Sequence, residues 1–264
     1  MQSAYSFTAT KAILVLFILL SISFKTYAMS LNSDSAAASA SSTSAATSVA
    51  KQTIDFLQLA RGLKTTPRTG WVRQEAGPKI ESVADHSWRM GVMAMVASTS
   101  TALSEEEQVD ANKCIRMALV HDLAESAVGD ITPYCGISDE EKHARELRAM
   151  ENMTKLLGGI GGIADSSEDM GKEMLGLWKE YEEGTSNEAK LVKDLDKLEM
   201  IIQGLEYELD GQNKKSLDGF FDSTRDKWRT SLGRLWGKEI ERRRPPKEPK
   251  EEEEHLPKKP KVDG

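Results

Sequence analysis

Leu191, Leu195, Leu198, Ile202 and Leu205 recur at intervals of four, three, four and three. That is the period of an α-helix with one apolar face, and a strand cannot carry it because strand faces alternate every second residue. The stripe predicts a helix over residues 187–209. The same spacing predicts helices over 53–63, where Ile54, Phe56, Leu57, Leu59 and Leu63 fall on related faces, and over the Met-, Ala- and Val-rich stretch 82–100. Ser104-Glu105-Glu106-Glu107 has the chemistry of a helix start. It predicts one helix running through Ile115, Leu119 and Val120 to His121. Further helices are expected over 140–157, 170–181 and 217–241, the last packing through Phe220, Phe221, Trp228, Leu232 and Trp236. There is no alternating strand pattern of useful length and no internal repeat. The expected fold is all-α, with one domain over residues 51–241.

Residues 1–50 and 242–264 lack this periodicity. Ala12 to Phe24 is an apolar run of 13 residues between Lys11 and Lys25. A membrane-spanning helix needs about 20, so no stable span is expected. The run fits the centre of a secretory signal with Thr26-Tyr27-Ala28 as its cleavage site. The Ser/Ala-rich stretch from Ser30 to Ala50, where Asp34 is the one acidic residue, fits a plastid or mitochondrial transit peptide. A third reading starts a soluble cytoplasmic protein at Met29. From Arg242 onward a Lys/Glu/Pro mixture offers too little apolar area to order itself, so both ends are expected to be disordered.

The net charge is −7, which argues against non-specific nucleic-acid binding, since that needs a basic surface. Cys114 and Cys135 are too few for a disulfide framework and too far apart for a Cys-x-x-Cys zinc hook. Cys114 reads as a small buried hydrophobe and Cys135 has no assigned role. Met90, Met93 and Met95 read as core, and His143 and His255 as solvated.

Chemistry concentrates in a few polar residues inside apolar segments. His121 and Asp122 are adjacent at the end of Ala118-Leu119-Val120. His86 lies 35 residues before His121, and Asp194 and Asp196 flank Leu195 more than 70 residues after Asp122. A lone histidine or a His-Asp dipeptide is a weak signal. The ordered set is stronger, because a carboxylate in an apolar stripe is costly unless it is paired or binds a cation. Asp194 and Asp196 each lie about 100 degrees from Leu195 on a helix, and periodicity does not choose between them.

The order His, His-Asp, Asp resembles that of the HD-domain metal-dependent phosphohydrolases, and within them the 5′-deoxynucleotidase branch, the HD domain-containing protein 2 family. The matching stretches are Pro67-Arg68-Thr69-Gly70-Trp71, Glu81-Ser82-Val83-Ala84-Asp85-His86-Ser87, His121-Asp122-Leu123-Ala124-Glu125 with Gly129-Asp130-Ile131-Thr132-Pro133, and residues 191–200. The resemblance spans about residues 52–210. It implies His86, His121, Asp122 and Asp196 as ligands of a divalent cation such as Mn²⁺ or Co²⁺. It implies Glu125 as catalytic acid/base, or as ligand of a second, weaker ion such as Mg²⁺. Asp130 is implied as a catalytic, sugar-contacting or second-metal residue, with the Ile131 carbonyl as a further ligand. Arg68 would neutralise phosphate and Trp71 would pack on base or sugar. Arg73 is the substitute for Arg68, and core packing is the rival role for Trp71. Homodimers are common among such relatives.

The expected activity is metal-dependent hydrolysis of (deoxy)nucleoside 5′-monophosphates to nucleoside and phosphate. The alternative is another HD phosphohydrolase, acting on cyclic nucleotides, nucleoside triphosphates or alarmones. A triphosphatase should offer several Lys and Arg near its site, and the segments around His86 and His121 are sparse in them. A non-catalytic binding module of this fold should have lost a ligand, and none is missing.

Overall fold

The computed structural model describes residues 46–157 and 169–246, and within them every regular element is helical. The elements are α1 (46–60), which runs on as a 3-10 turn Arg61–Lys64, α2 (Thr69–Gln74), α3 (Val83–Ala97), α4 (Ala111–Val120), α5 (Glu125–Val128), α6 (Asp139–Lys155), α7 (Met170–Glu183), α8 (Asn187–Asp210), α9 (Asp218–Thr224) and α10 (Ser231–Arg243). The all-α expectation holds. No helix among the described residues is long and apolar enough to cross a membrane.

The leucine stripe of α8 is the spine of the core. Leu191, Leu195 and Leu198 on α8 are fully buried, and α8 packs against α3, α4, α7, α9 and α10. Their neighbours in one apolar cluster include Met90, Met117, Phe221 and Leu232. A second cluster gathers Phe56 from α1, Val83, Val120, Met150 from α6 and Trp178 from α7. His86 and His121 lie where α3 and α4 cross between these clusters. Each is buried, so their polar nitrogens need partners within the protein or a ligand.

Four expectations from the sequence change. The helix expected from Ser104 to His121 is two elements. Glu107 does reach back to the Ser104 amide, but its other oxygen accepts from the Ser231 amide at 2.9 Å. The box therefore closes only a 3-10 turn, Glu105–Glu107, and the helix restarts at Ala111 under an Asp110 cap. The helix expected over 217–241 breaks at residues 225–230. There Asp226 adopts a positive φ of 60° and Asp194 captures the amides of Arg229 and Thr230. The helical span is also wider than expected. Helix α1 already covers residues 46–50, and α10 runs to Arg243 with Arg244 paired to Glu208 and Asp218. Residues 242–244 thus belong to the fold, because charge pairing supplies what apolar burial does not. Met95 is exposed, unlike Met90 and Met93. The targeting readings of residues 1–45, the tail beyond residue 246 and His255 lie outside the described residues.

Candidate active site

Local sequence places each polar group before tertiary packing brings them together. Ser82 and Asp85 form a reciprocal capping box that starts α3, which sets His86 in its first turns. A single antiparallel bridge, Pro67 with Ser82, is flanked by Arg68 N–H donating to the Glu81 carbonyl at 3.1 Å. That bridge holds Arg68 beside the start of α3. His121 closes α4. The chain then makes a tight turn instead of continuing the helix, with the Glu125 amide bonded to the Asp122 carbonyl. His121, Asp122 and Glu125 therefore do not share one continuous helical face, as regular spacing would have it.

The two imidazoles are oriented by their other nitrogens. His121 Nδ1–H donates to the Ala118 carbonyl at 2.9 Å, and His86 Nδ1 is bonded to Glu199. Those bonds leave both Nε2 atoms as lone-pair donors. Both Nε2 atoms are buried without a hydrogen-bond partner. Both face Asp122, whose Oδ2 lies 3.2 Å from His121 Nε2 and 3.7 Å from His86 Nε2, and Asp196 Oδ1 lies 3.3 Å from His86 Nε2. Donor atoms of His86, His121 and Asp122 all lie within 4.8 Å of one another. Two unsatisfied imidazole nitrogens grouped with the Asp122 carboxylate, and Asp196 beside His86, fit a divalent cation.

Periodicity left Asp194 and Asp196 equivalent, and tertiary contacts separate them. The Asp196 carboxylate faces His86 and accepts from Tyr181 Oη at 2.8 Å. Asp194 is fully buried on another side. It accepts from the amides of Arg229 and Thr230 and from the Thr230 hydroxyl at 2.8 Å. Gly233 is required there, since a Cβ at that position would collide with the Asp194 carboxylate.

The supporting residues were not singled out from the sequence. Glu199 is fully buried, lies three residues after Asp196 on the same helix, and also binds Arg89 Nε at 2.8 Å. Its spacing from Asp196 was the available signal. Tyr181 packs edge-on against His121 with centroids 5.0 Å apart. Such partners fix ligand orientation in metal sites. Without a cation, and against burial and the Arg68 charge, which push it down, the carboxylates of Asp196 and Glu199 raise the His86 pKa to about 9, so a bound cation takes the place of the Nε2 proton.

Glu125 is buried, and burial with the charges of Asp122 and Asp130 pushes its pKa well above the usual carboxylate range. One of its oxygens, Oε2, has no hydrogen-bond partner. Lys142 on α6, paired with Glu146 at 3.7 Å, adds a cation near Glu125, Asp122 and Asp130. Arg68 Nη1 is 3.5 Å from Asp122 Oδ2, whereas Arg73 leans over the Tyr134 ring at 5.1 Å. Of the two arginines, Arg68 is the one at the cluster. Asp130 Oδ2 accepts from the Thr69 amide at 2.6 Å, tying its loop to the start of α2. Ile131, next in the chain, is buried.

A cavity of about 300 Å³ adjoins the cluster, with Arg68, Asp130 and Trp71 in its lining. Trp71 is only 1% exposed, donates from Nε1 to Glu81 at 2.7 Å and packs on Tyr207 and Phe220. Of the two roles open to Trp71, the indole packs in the core, and it also lines the cavity. Burial, with Glu199 nearby, pushes its partner Glu81 up to about 7. Cys114 is buried as expected, and Cys135 is exposed, its Sγ facing the Thr132 amide. His143, expected to be solvated, is exposed but stacks on Trp178 and pairs with Glu182 at 2.9 Å.

The HD domain family matches residues 60–236. The chain is 46% identical over 180 residues to 5′-deoxynucleotidase HDDC2 of Bos taurus, covering 68% of this chain and 79% of that protein. It is 48% identical over 174 residues to the Mus musculus protein of the same name, covering 66% and 78%. Among solved structures, the PH0347 protein from Pyrococcus horikoshii OT3 superposes with a TM-score of 0.57 at 29% identity, over 72% of this chain and 99% of that one. With the family match spanning most of the helical region and the histidine–aspartate cluster at its centre, this chain belongs to the HD domain family.

Proposed function

We propose that this protein is a divalent-metal-dependent phosphohydrolase that cleaves nucleoside 5′-monophosphates to nucleoside and phosphate, with deoxynucleotides preferred. The observation that carries the reading is the pair of buried, unpartnered Nε2 atoms facing Asp122 and Asp196, with Arg68 and a cavity beside them. The relatives' name, 5′-deoxynucleotidase, supports the substrate class. His86, His121, Asp122 and Asp196 are the ligand set, for Mn²⁺ or Co²⁺. As the alternative to the roles given next, Glu125, Asp130 and the Ile131 carbonyl would hold a second ion such as Mg²⁺. When bound, the cation acidifies water and polarises a phosphoryl oxygen.

The chain's own residues divide the remaining work. Arg68 keeps its charge at any physiological pH and forks hydrogen bonds to phosphate oxygens, offsetting charge that builds as the phosphorus–O5′ bond breaks. Glu125, with its raised pKa, takes the proton of the attacking water and returns one to O5′. Asp130 orients the sugar from the cavity side. Glu125→Ala is expected to retain the first metal in elemental analysis and to lose roughly 10²–10⁴-fold in turnover. A near-normal rate would remove Glu125 from the mechanism. The reading as a whole is tested by phosphate release from deoxy- and ribonucleoside monophosphates with and without Mn²⁺ or Co²⁺. Release from cyclic or triphosphate substrates alone would favour another hydrolase. No release from metal-loaded protein would favour a binding module.

The protein is further proposed to act as a homodimer through α3, with no nucleic-acid partner. Trp88, Val92, Met95 and Val96 fall at helical spacing on one exposed face, Trp88 at 67% exposure, with Leu119 of α4 also exposed. A contiguous exposed apolar stripe marks an association surface. Trp88→Glu is expected to convert a dimer to a monomer in light scattering. A monomeric wild type, or a dimer that tolerates the change, counts against this face.

A further inference from the structure

Building on the nucleotide reading above, we propose that the cavity between α2, α9 and the turn Pro133–Cys135 is the nucleobase pocket, with Phe220 and Tyr134 as its aromatic walls and Gln74 hydrogen-bonding the base edge. The cavity has about 300 Å³, at the low end for small-molecule sites, so it holds part of one small ligand. Among the described residues, Arg68 and Asp130 are its charged lining groups, and both stand at the cluster end. A ligand whose phosphate meets Arg68 and whose sugar meets Asp130 must place its remaining part farther in. Away from those two the lining includes Phe220, Tyr134, Pro133 and Met200. No lining residue farther in is cationic, and Arg73, which leans over the Tyr134 ring, lies outside the lining, so the inner surface suits a flat aromatic ring better than a second or third phosphate.

The wall on α9 is held in place before any ligand arrives. The Phe220 ring lies 4.1 Å from the Trp71 ring, and a Cβ on Gly70 would come within 3.1 Å of it. The next residue, Phe221, is buried beneath the Arg244 guanidinium, and Arg244 in turn pairs with Glu208 of α8 and Asp218 of α9. Rigid walls lower the ordering cost of binding. The polar lining groups are mostly engaged: Ser223 Oγ donates to the Phe220 carbonyl at 2.7 Å, and the Thr132 hydroxyl sits against Cys135. The Gln74 side-chain amide has no hydrogen-bond partner among the described residues. It offers one acceptor and two donors, which suits the mixed edge of a base.

The test compares a deoxynucleoside 5′-monophosphate with 2-deoxyribose 5-phosphate, which carries the same phosphoester without a base, and adds calorimetric binding of the free deoxynucleoside. Wild type is expected to favour the nucleotide in kcat/KM, and Phe220→Ala to cut that preference about ten-fold, the scale of losing one base–aromatic stack. Tyr134→Ala, at an exposed side chain that folding does not need, and Gln74→Ala are expected to cut it in the same direction. Equal use of nucleotide and sugar phosphate by wild type, or a preference untouched by all three variants, overturns the pocket while leaving the hydrolase reading standing. Deoxynucleoside binding that depends on Phe220, in a protein that releases no phosphate, supports the pocket and overturns the hydrolase reading instead. Neither binding nor preference overturns the pocket outright.

Discussion

Asp122→Ala is expected to leave the protein folded, without stoichiometric metal, and slower in phosphate release by at least about 10³-fold, corresponding to the roughly 4 kcal/mol that a lost Lewis acid removes. Asp122 Oδ2 is the atom common to the site, within 3.7 Å of both imidazole Nε2 atoms and 3.5 Å from Arg68. Its pKa is held far below the usual carboxylate range: burial opposes ionisation, but His121, His86 and Arg68 outweigh it. Without it two neutral nitrogens and Asp196 remain, too little negative charge to hold a dication against Arg68. Elemental analysis after dialysis and a phosphate-release assay check both parts. Retention of one metal per chain by the variant would move the cation elsewhere. The other buried group of suitable donors, Glu81, His86 and Glu199, would then be the place to look.

The second large effect falls on a residue two positions from a proposed ligand and has a different nature. Asp194→Ala is expected to destabilise the fold by about 4 kcal/mol, since it strips the acceptor from two amides and a hydroxyl, each worth about 1–3 kcal/mol when left unpaired. For a domain of this size that lowers Tm by roughly 10 °C. The same change at Asp196 should move the melting temperature of chelator-treated protein far less while abolishing metal uptake. Thermal melts of both variants, paired with metal titration, separate the two roles. Should Asp196→Ala collapse the fold and Asp194→Ala release the metal, the register of α8 described here is wrong.

The contrast between these aspartates marks where sequence reasoning ran out. Both flank Leu195 in the apolar stripe, and a period places each beside the core face without saying what lies opposite. What lies opposite Asp194 is the start of α10, an element 35 residues away in sequence. The same limit hid the breaks at residues 108–110 and 225–230. Each follows from a long-range bond, Glu107 to Ser231 and Asp194 to Thr230, that overrides a locally plausible helix. Glu199, Arg89 and Tyr181 went unassigned because an ordinary glutamate, arginine or tyrosine on an amphipathic helix has no local mark of its partner. At Trp71 the chain left two roles open, ligand stacking and core packing, and only the tertiary contacts with Tyr207 and Phe220 show the ring buried.

From the chain alone came the helical class, the main apolar stripe and the histidine and aspartate residues that stand out because they interrupt apolar segments. Periodicity and the cost of burying polar groups are local properties, so they can be read residue by residue. The tertiary structure alone decided which lone pairs point inward, which aspartate anchors a helix, and which rings surround the cavity. Those outcomes depend on where distant helices cross, and a crossing is set by the joint packing of α3, α4 and α8 rather than by any one segment's pattern.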